Sequence, residues 1–236
     1  MHTIYVEGQR ILVEIAKPIY TCLTYGILPQ MRHMPNIDLS PKSAATYRII
    51  RAALGSKEPF FQIDISKAAN ASPSQVSRVL RWMMGRQHAD RLPDGRYRVR
   101  NAIGIIASAI PYQRSMKDAR FGVVFVRGKK KEVVEALIRA GGILCLESAL
   151  EEYSQSFRAD RICIYHQEPG ELMDKHVVEE GGILPVSMYL PDLPLKGDVE
   201  QKRRTSRFRT VIDLACDGRI YAAKDIVEEL WGIRIE

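Results

Sequence analysis

From Ser43 onward the apolar positions recur with a helical period. Ala45, Ile49, Ala52 and Ala53 share one face, and Gly55 follows Leu54 as a stop signal. Phe60–Ile63 reads as a short strand, and Asp64 as the cap of a short helix over Ile65–Ala69. Asn70-Ala71 makes a tight turn. Ser72 opens the next helix with Pro73 at its first position and Gln75 at its third, the pattern of a capping box. Val76, Val79, Leu80 and Met83 then follow at i, i+3, i+4 and i+7, a core-facing stripe that ends near Gly85. Two short strands, His88–Leu92 and Arg96–Val99, flank Pro93-Asp94-Gly95, a hairpin signal. Asn101 caps a further helix over Ala102–Ile110, with Ile103, Ile106, Ala107 and Ile110 on one face, and Pro111 ends it. Ahead of all this, Ile11–Lys17 reads as a docking helix, and 34–41 as a proline-bracketed connector.

After a polar linker at 112–120 the rhythm changes to alternating strand and helix. Phe121–Val126 reads as a buried strand and Lys129–Ala140 as a helix closed by Gly141-Gly142. Ile143–Leu146 is extended or begins the helix that runs through Ser148–Tyr153, and Arg161–Tyr165 is a strand. Glu171–Glu180 is a helix closed by Gly181-Gly182, and Ile183–Leu190 is a strand. Arg207–Cys216 and Tyr221–Trp231 are two final helices. The expected fold class is α+β. Its divisions are a docking or dimerisation segment at 1–41, a helical and hairpin domain at 42–111, the linker at 112–120, and a mixed α/β sheet domain at 121–236.

Charge sharpens this division. The chain has 236 residues and a formal net charge of +7. Residues 1–112 carry +8 and residues 113–236 carry −1, and the segment 42–100 alone accounts for +8. A basic half joined to a neutral half is the pattern of a nucleic-acid-binding domain fused to another module. The four cysteines, Cys22, Cys145, Cys163 and Cys216, show neither a CxxC pair nor Cys/His ligand spacing. A disulfide framework and a structural zinc site are therefore not expected, and a reducing, cytoplasmic compartment is. The chain shows neither a signal-peptide pattern nor an apolar run long enough to span a membrane.

Helix, short strand, helix, tight turn, capped helix and hairpin, over Ser43 to Arg100, resemble the winged helix-turn-helix domain of many microbial transcription regulators. With the apolar stripe turned inward, the capped helix offers Ser74, Gln75, Ser77, Arg78 and Arg81 outward. Gln75 is committed to capping. Ser74, Ser77, Arg78 and Arg81 are the candidate major-groove contacts, since Arg matches guanine O6 and N7. Alternation places Arg96, Arg98 and Arg100 on one face of the wing, with Arg91 on the facing strand, suited to backbone phosphates or the minor groove. Lys67, on the preceding helix, completes the candidate DNA-binding set.

In the second half, Gly141-Gly142, Leu146, Ala149-Leu150, Phe157–Asp160 and the strand Arg161–Tyr165 resemble the core of nucleotidyltransferase-like folds. Those folds carry two carboxylates one residue apart. Here Asp160 stands at the first position and Ile162 at the second, so a two-metal site lacks a ligand and neither catalysis nor a metal or other cofactor is expected. A winged helix joined to such a degenerate domain, ending in Arg209–Ala215 and Ala222-Ala223-Lys224-Asp225, resembles the AbiEi family of antitoxin regulators from type IV toxin–antitoxin systems. The resemblance implies a non-enzymatic autorepressor that binds duplex DNA at its own promoter, with a cognate toxin as a candidate partner. A homodimer is expected because single half-sites specify little. Lys202, Arg203, Arg204, Arg207 and Arg209 put five bases in eight residues, a candidate second DNA contact with a solvated loop as the alternative. Two other functions stay open: a nucleotidyltransferase with Asp160 as metal ligand, and an interaction protein that meets a toxin or effector through 121–236.

Overall fold

A computed structural model of the chain describes residues 2–6, 9–13, 44–56, 58–109, 116–174, 182–191, 195, 197–201 and 203–234. The chain divides into two units, Met1–Pro35 and Asn36–Glu236. In the first, β1 (His2–Val6) pairs antiparallel with β2 (Gln9–Val13), with Ile4 opposite Ile11. This corrects the docking helix expected over Ile11–Lys17. Ile11, Leu12 and Val13 sit in β2, as β-branched residues favour when a mate strand lies two residues away in sequence. Residues 14–17, the 34–41 connector and Cys22 lie outside the described residues.

The second unit begins with three helices, α1 (Ala44–Gly55), α2 (Gln62–Ala69) and α3 (Pro73–Gly85). The expected strand at Phe60–Ile63 contracts to a single bridge. Phe60 N donates to Tyr97 O at 3.0 Å and Tyr97 N donates to Phe60 O at 2.8 Å. Gln62 and Ile63 instead belong to α2, and Asp64 is not its cap. From the third helical position the Asp64 carboxylate accepts the Phe61 N–H at 3.0 Å, a bond the sequence places one turn too late. Asn70, in the left-handed conformation at φ 45°, then turns the chain into α3.

β3 (Ala89–Arg91) and β4 (Tyr97–Val99) form the antiparallel hairpin, with Gly95 at φ 84° in its turn. α4 (Ala102–Ala109) is capped by the Asn101 side chain, which accepts from Gly104 N at 2.7 Å. Its buried face is Ala102, Ile105 and Ile106, whereas Ala107 is exposed, one residue round from the expected stripe. The expected linker is also shorter than its polar composition indicates. Met116 and Ala119 are buried in a helical turn, α5 (Met116–Ala119), and Arg120 already belongs to the next strand.

A six-stranded mixed sheet follows, in the order β5-β8-β7-β6-β10-β9. Its strands are β5 (Arg120–Val126), β6 (Ile143–Leu144), β7 (Ile162–Tyr165), β8 (Leu184–Tyr189), β9 (Val199–Glu200) and β10 (Arg204–Thr205). β7–β8 and β6–β10 are parallel and the other pairs antiparallel. β5 is an edge strand, and it corrects the expectation of a buried one. Phe121, Val123 and Phe125 are 49%, 41% and 55% exposed on one face, while Val126 packs into the core on the other. The sheet is flanked by α6 (Lys130–Arg139), α7 (Leu146–Tyr153), α8 (Pro169–Asp174), α9 (Arg207–Cys216), a 3-10 turn at Ile220–Ala223 and α10 (Lys224–Trp231).

Two apolar clusters hold the fold. Val133 and Leu137 of α6 cover one side of the sheet through Val126, Ile162, Ile164, Val186 and Met188. The other cluster runs without a break from Ile49, Leu80 and Ile105 to Tyr165, Val211 and Val227. The helical segment and the sheet segment therefore share one core. The architecture is α+β, with a six-stranded mixed sheet and ten helices among the described residues.

Candidate nucleic-acid interface

The candidate interface is built on α3. Ser72 accepts the Gln75 N–H at 3.3 Å and Gln75 Oε1 accepts the Ser72 N–H at 3.1 Å, so the first turn carries a reciprocal capping box. Val76, Val79, Leu80 and Met83 are all buried, and this fixes which face remains outside. That outer face carries Ser74, Arg78 and Arg81, all exposed, with Ser77 half-buried beside them. The Arg81 guanidinium donates to Ser77 O at 3.4 Å. Lys67 is exposed on α2. Among the described residues no carboxylate pairs with Lys67, Arg78, Arg81 or Arg91.

The hairpin arginines are arranged differently. Asp90, opposite Arg98 in register, lies 3.8 Å from Arg98 and 2.9 Å from Arg100. Asp94 accepts the Arg96 backbone N–H at 3.0 Å and the Arg96 guanidinium at 2.6 Å, and these bonds, the backbone one foremost, keep the Asp94 carboxyl below its ordinary range. Arg91 lies over the Tyr97 ring at 5.9 Å. Exposed ion pairs of this kind contribute little to stability, so a competing phosphate exchanges for them at small cost. Only Arg98 lies within β4, exposed, with Arg96 and Arg100 just outside its two ends, while Tyr97 between Arg96 and Arg98 is buried.

Two further residues shape the interface without a signal in the local pattern. Arg48 of α1 donates to Ala69 O at 2.8 Å and to Asn70 O at 3.3 Å, pinning the turn between α2 and α3. Arg86 stacks on Trp82 at 5.6 Å, next to half-buried His88. Burial and the nearby Arg86 charge lower the His88 pKa below its usual 6.5. Arg48 becomes legible only once α1 and α2 are packed together.

The described members of the second basic cluster, Arg203, Arg204, Arg207 and Arg209, are each engaged by neighbouring groups. Arg209 is 1% exposed and is corrected from a DNA contact to a core residue. It donates to Asp213 at 2.7 Å and to the Tyr165 hydroxyl at 3.1 Å, and lies over the Tyr47 and Tyr165 rings. Arg204 is also corrected, because its guanidinium lies over the Tyr153 ring at 4.1 Å and donates to Glu200 and to Glu152 O. Arg207 also lies over the Tyr153 ring, at 4.6 Å, and pairs with Glu229 at 3.2 Å. Arg203 is exposed, yet its guanidinium donates to Gly141 O and Gly142 O. The solvated-loop alternative also gives way over 204–209, where β10 and the start of α9 lie. Lys202 lies outside the described residues.

Asp160 is exposed just before β7, and Ile162 is fully buried. Lys130 is bound to Glu151 and donates to Ala159 O at 2.7 Å. His166 packs against the end of α6, with Nε2 3.2 Å from Ala140 O. Glu147, Arg161, Asp217 and Arg219 form a network of two carboxylates and two guanidinium groups that ties α7, β7 and the end of α9 together. Burial pushes the Cys163 thiol beside it up to about 11, which keeps it protonated at neutral pH. Among the described residues no cluster of metal-ligating side chains is present, and no helix is long and apolar enough to cross a membrane. No family model, no curated protein and no solved structure matches the chain.

Proposed function

We propose that the chain is a sequence-specific DNA-binding regulator of transcription, with residues 44–109 acting as a winged helix-turn-helix. The observation that carries this reading is the outer face of α3, where Ser74, Arg78 and Arg81 stand exposed on a rigidly capped helix. In the proposed complex α3 enters the major groove and Arg78 and Arg81 read base edges. Lys67 and the hairpin arginines Arg91, Arg96, Arg98 and Arg100 contact the phosphate backbone. The order of elements and the +8 charge of 42–100 support the same reading.

The resemblance to AbiEi-type antitoxin regulators implies a binding site in the chain's own promoter. It also implies a non-catalytic, nucleotidyltransferase-like domain over 121–236 and a cytoplasmic homodimer as the active species. The experiment is fluorescence anisotropy with a duplex taken from the DNA upstream of the coding region. Wild type binds it more tightly than a scrambled duplex, and R78A and R81A lose that preference. Equal affinity of wild type and both variants would remove the reading.

A second role, contact with a partner protein such as a toxin, is favoured by one observation. Phe121, Val123 and Phe125 present an apolar row on the edge strand β5. Co-purification of the neighbouring gene product with wild type, and its loss with F121S/F125S, is the expected result.

A further inference from the structure

A buried carboxylate ties α1 to the sheet segment, beside the apolar core that the two share. Asp198 is 1% exposed and lies just before β9. Its Oδ2 accepts the Tyr47 hydroxyl of α1 at 2.7 Å. Its Oδ1 accepts the Arg51 guanidinium and, at 3.5 Å, the Ser206 hydroxyl that also caps α9. A second Arg51 nitrogen donates to Gly197 O at 2.6 Å. The backbone of Asp198 is held as well, by Ser206 N on its carbonyl at 2.7 Å and by Leu195 O on its N–H at 2.8 Å. Beneath Tyr47 lies the Arg209 guanidinium, at 5.6 Å from the ring. One turn further along α1, Leu54 O accepts the Trp231 indole N–H of α10 at 3.0 Å.

These bonds fall on the same helix that sets the interface. Arg48, between Tyr47 and Arg51, holds the α2–α3 turn. A displacement of α1 therefore reaches α3 through the turn that Arg48 holds and through the apolar core that α1 and α3 share. We infer that Asp198 is a positioning residue for DNA recognition: the sheet half fixes the pose of α3 through the Asp198–Tyr47–Arg51 cluster. The two halves then bind DNA as one body, and any partner that strains the β9–β10 corner changes DNA affinity. The consequence for DNA rests on the DNA-binding reading, whereas the mechanical coupling does not.

The test uses the full chain as wild type, D198A, D198N and Y47F. Hydrogen–deuterium exchange of the free protein reads the coupling without DNA. In D198A, exchange over 62–85 rises about five- to tenfold, while 162–165 in the sheet centre is unchanged. Y47F, which removes one hydroxyl, gives a smaller rise of the same pattern, and D198N, which retains an acceptor for Tyr47, lies between wild type and D198A. In anisotropy, D198A loses about five- to tenfold of the preference for the upstream over the scrambled duplex. Scrambled-duplex affinity stays unchanged, a split that simple loss of folded protein does not produce. Should D198A fail to fold, Y47F and D198N carry the same comparison. Unchanged exchange over 62–85 in every folded variant overturns the coupling. Raised exchange together with a wild type that does not discriminate the duplexes overturns the DNA reading and leaves the coupling standing.

Discussion

Arg78 and Arg209 show how one residue type takes opposite roles in this chain. Arg78 is exposed on α3 beside a capped turn, and among the described residues it has no carboxylate partner. R78A is expected to weaken binding to the upstream duplex by about 1–3 kcal/mol, measured by anisotropy. Arg209 is sealed between two tyrosines and Asp213. R209A leaves a buried carboxylate without its guanidinium partner, so it is expected to lower unfolding free energy by about 3–5 kcal/mol in urea denaturation. The salt dependence of DNA binding by the folded fraction should stay as in wild type. His88 adds a pH effect. Its folded-state pKa is lowered by burial, so the unfolded chain binds the proton more readily. Stability is expected to fall as pH drops below about 6.5, and the difference in melting temperature between wild type and H88Q should shrink over the same window.

At the scale of elements, α3 is the best specified segment. Its cap, its Pro at the first position and its i, i+3, i+4, i+7 stripe all point to one answer, and each is local. S72A removes the side-chain acceptor of the box and is expected to cost about 1 kcal/mol, read as a lower melting temperature. The hairpin was equally legible from Asp94-Gly95, though both strands are shorter than their pattern. What stayed hidden depends on distant partners. Periodicity shows that Phe121–Val126 is extended, but not that β5 lies at the sheet edge with three apolar residues facing outward. The 202–209 run looks cationic and free because Tyr153, Glu200 and Glu229, which engage it, are remote in sequence or lie on elements with no pattern of their own. One local clue to Arg209 existed, namely Asp213 four residues on within an apolar run.

The larger unit, Asn36–Glu236, joins a basic helical segment to a near-neutral sheet segment, with one apolar core running through both. The charge division was readable from the sequence, but the shared core was not, because it rests on contacts across more than a hundred residues such as Tyr47–Asp198 and Trp231–Leu54. In the proposed complex the phosphate contacts come from the basic segment. Replacing Arg98 and Arg100 together is therefore expected to reduce the magnitude of the salt slope of log affinity by about 2, uniformly over duplex sequence.

The most direct test of DNA recognition by α3 is the affinity of the R78A/R81A double variant for the upstream duplex, set against wild type at one fixed salt concentration. The expected result is a loss of at least about thirtyfold on the upstream duplex, with a much smaller loss on a scrambled one. An unchanged affinity in a folded double variant would contradict it.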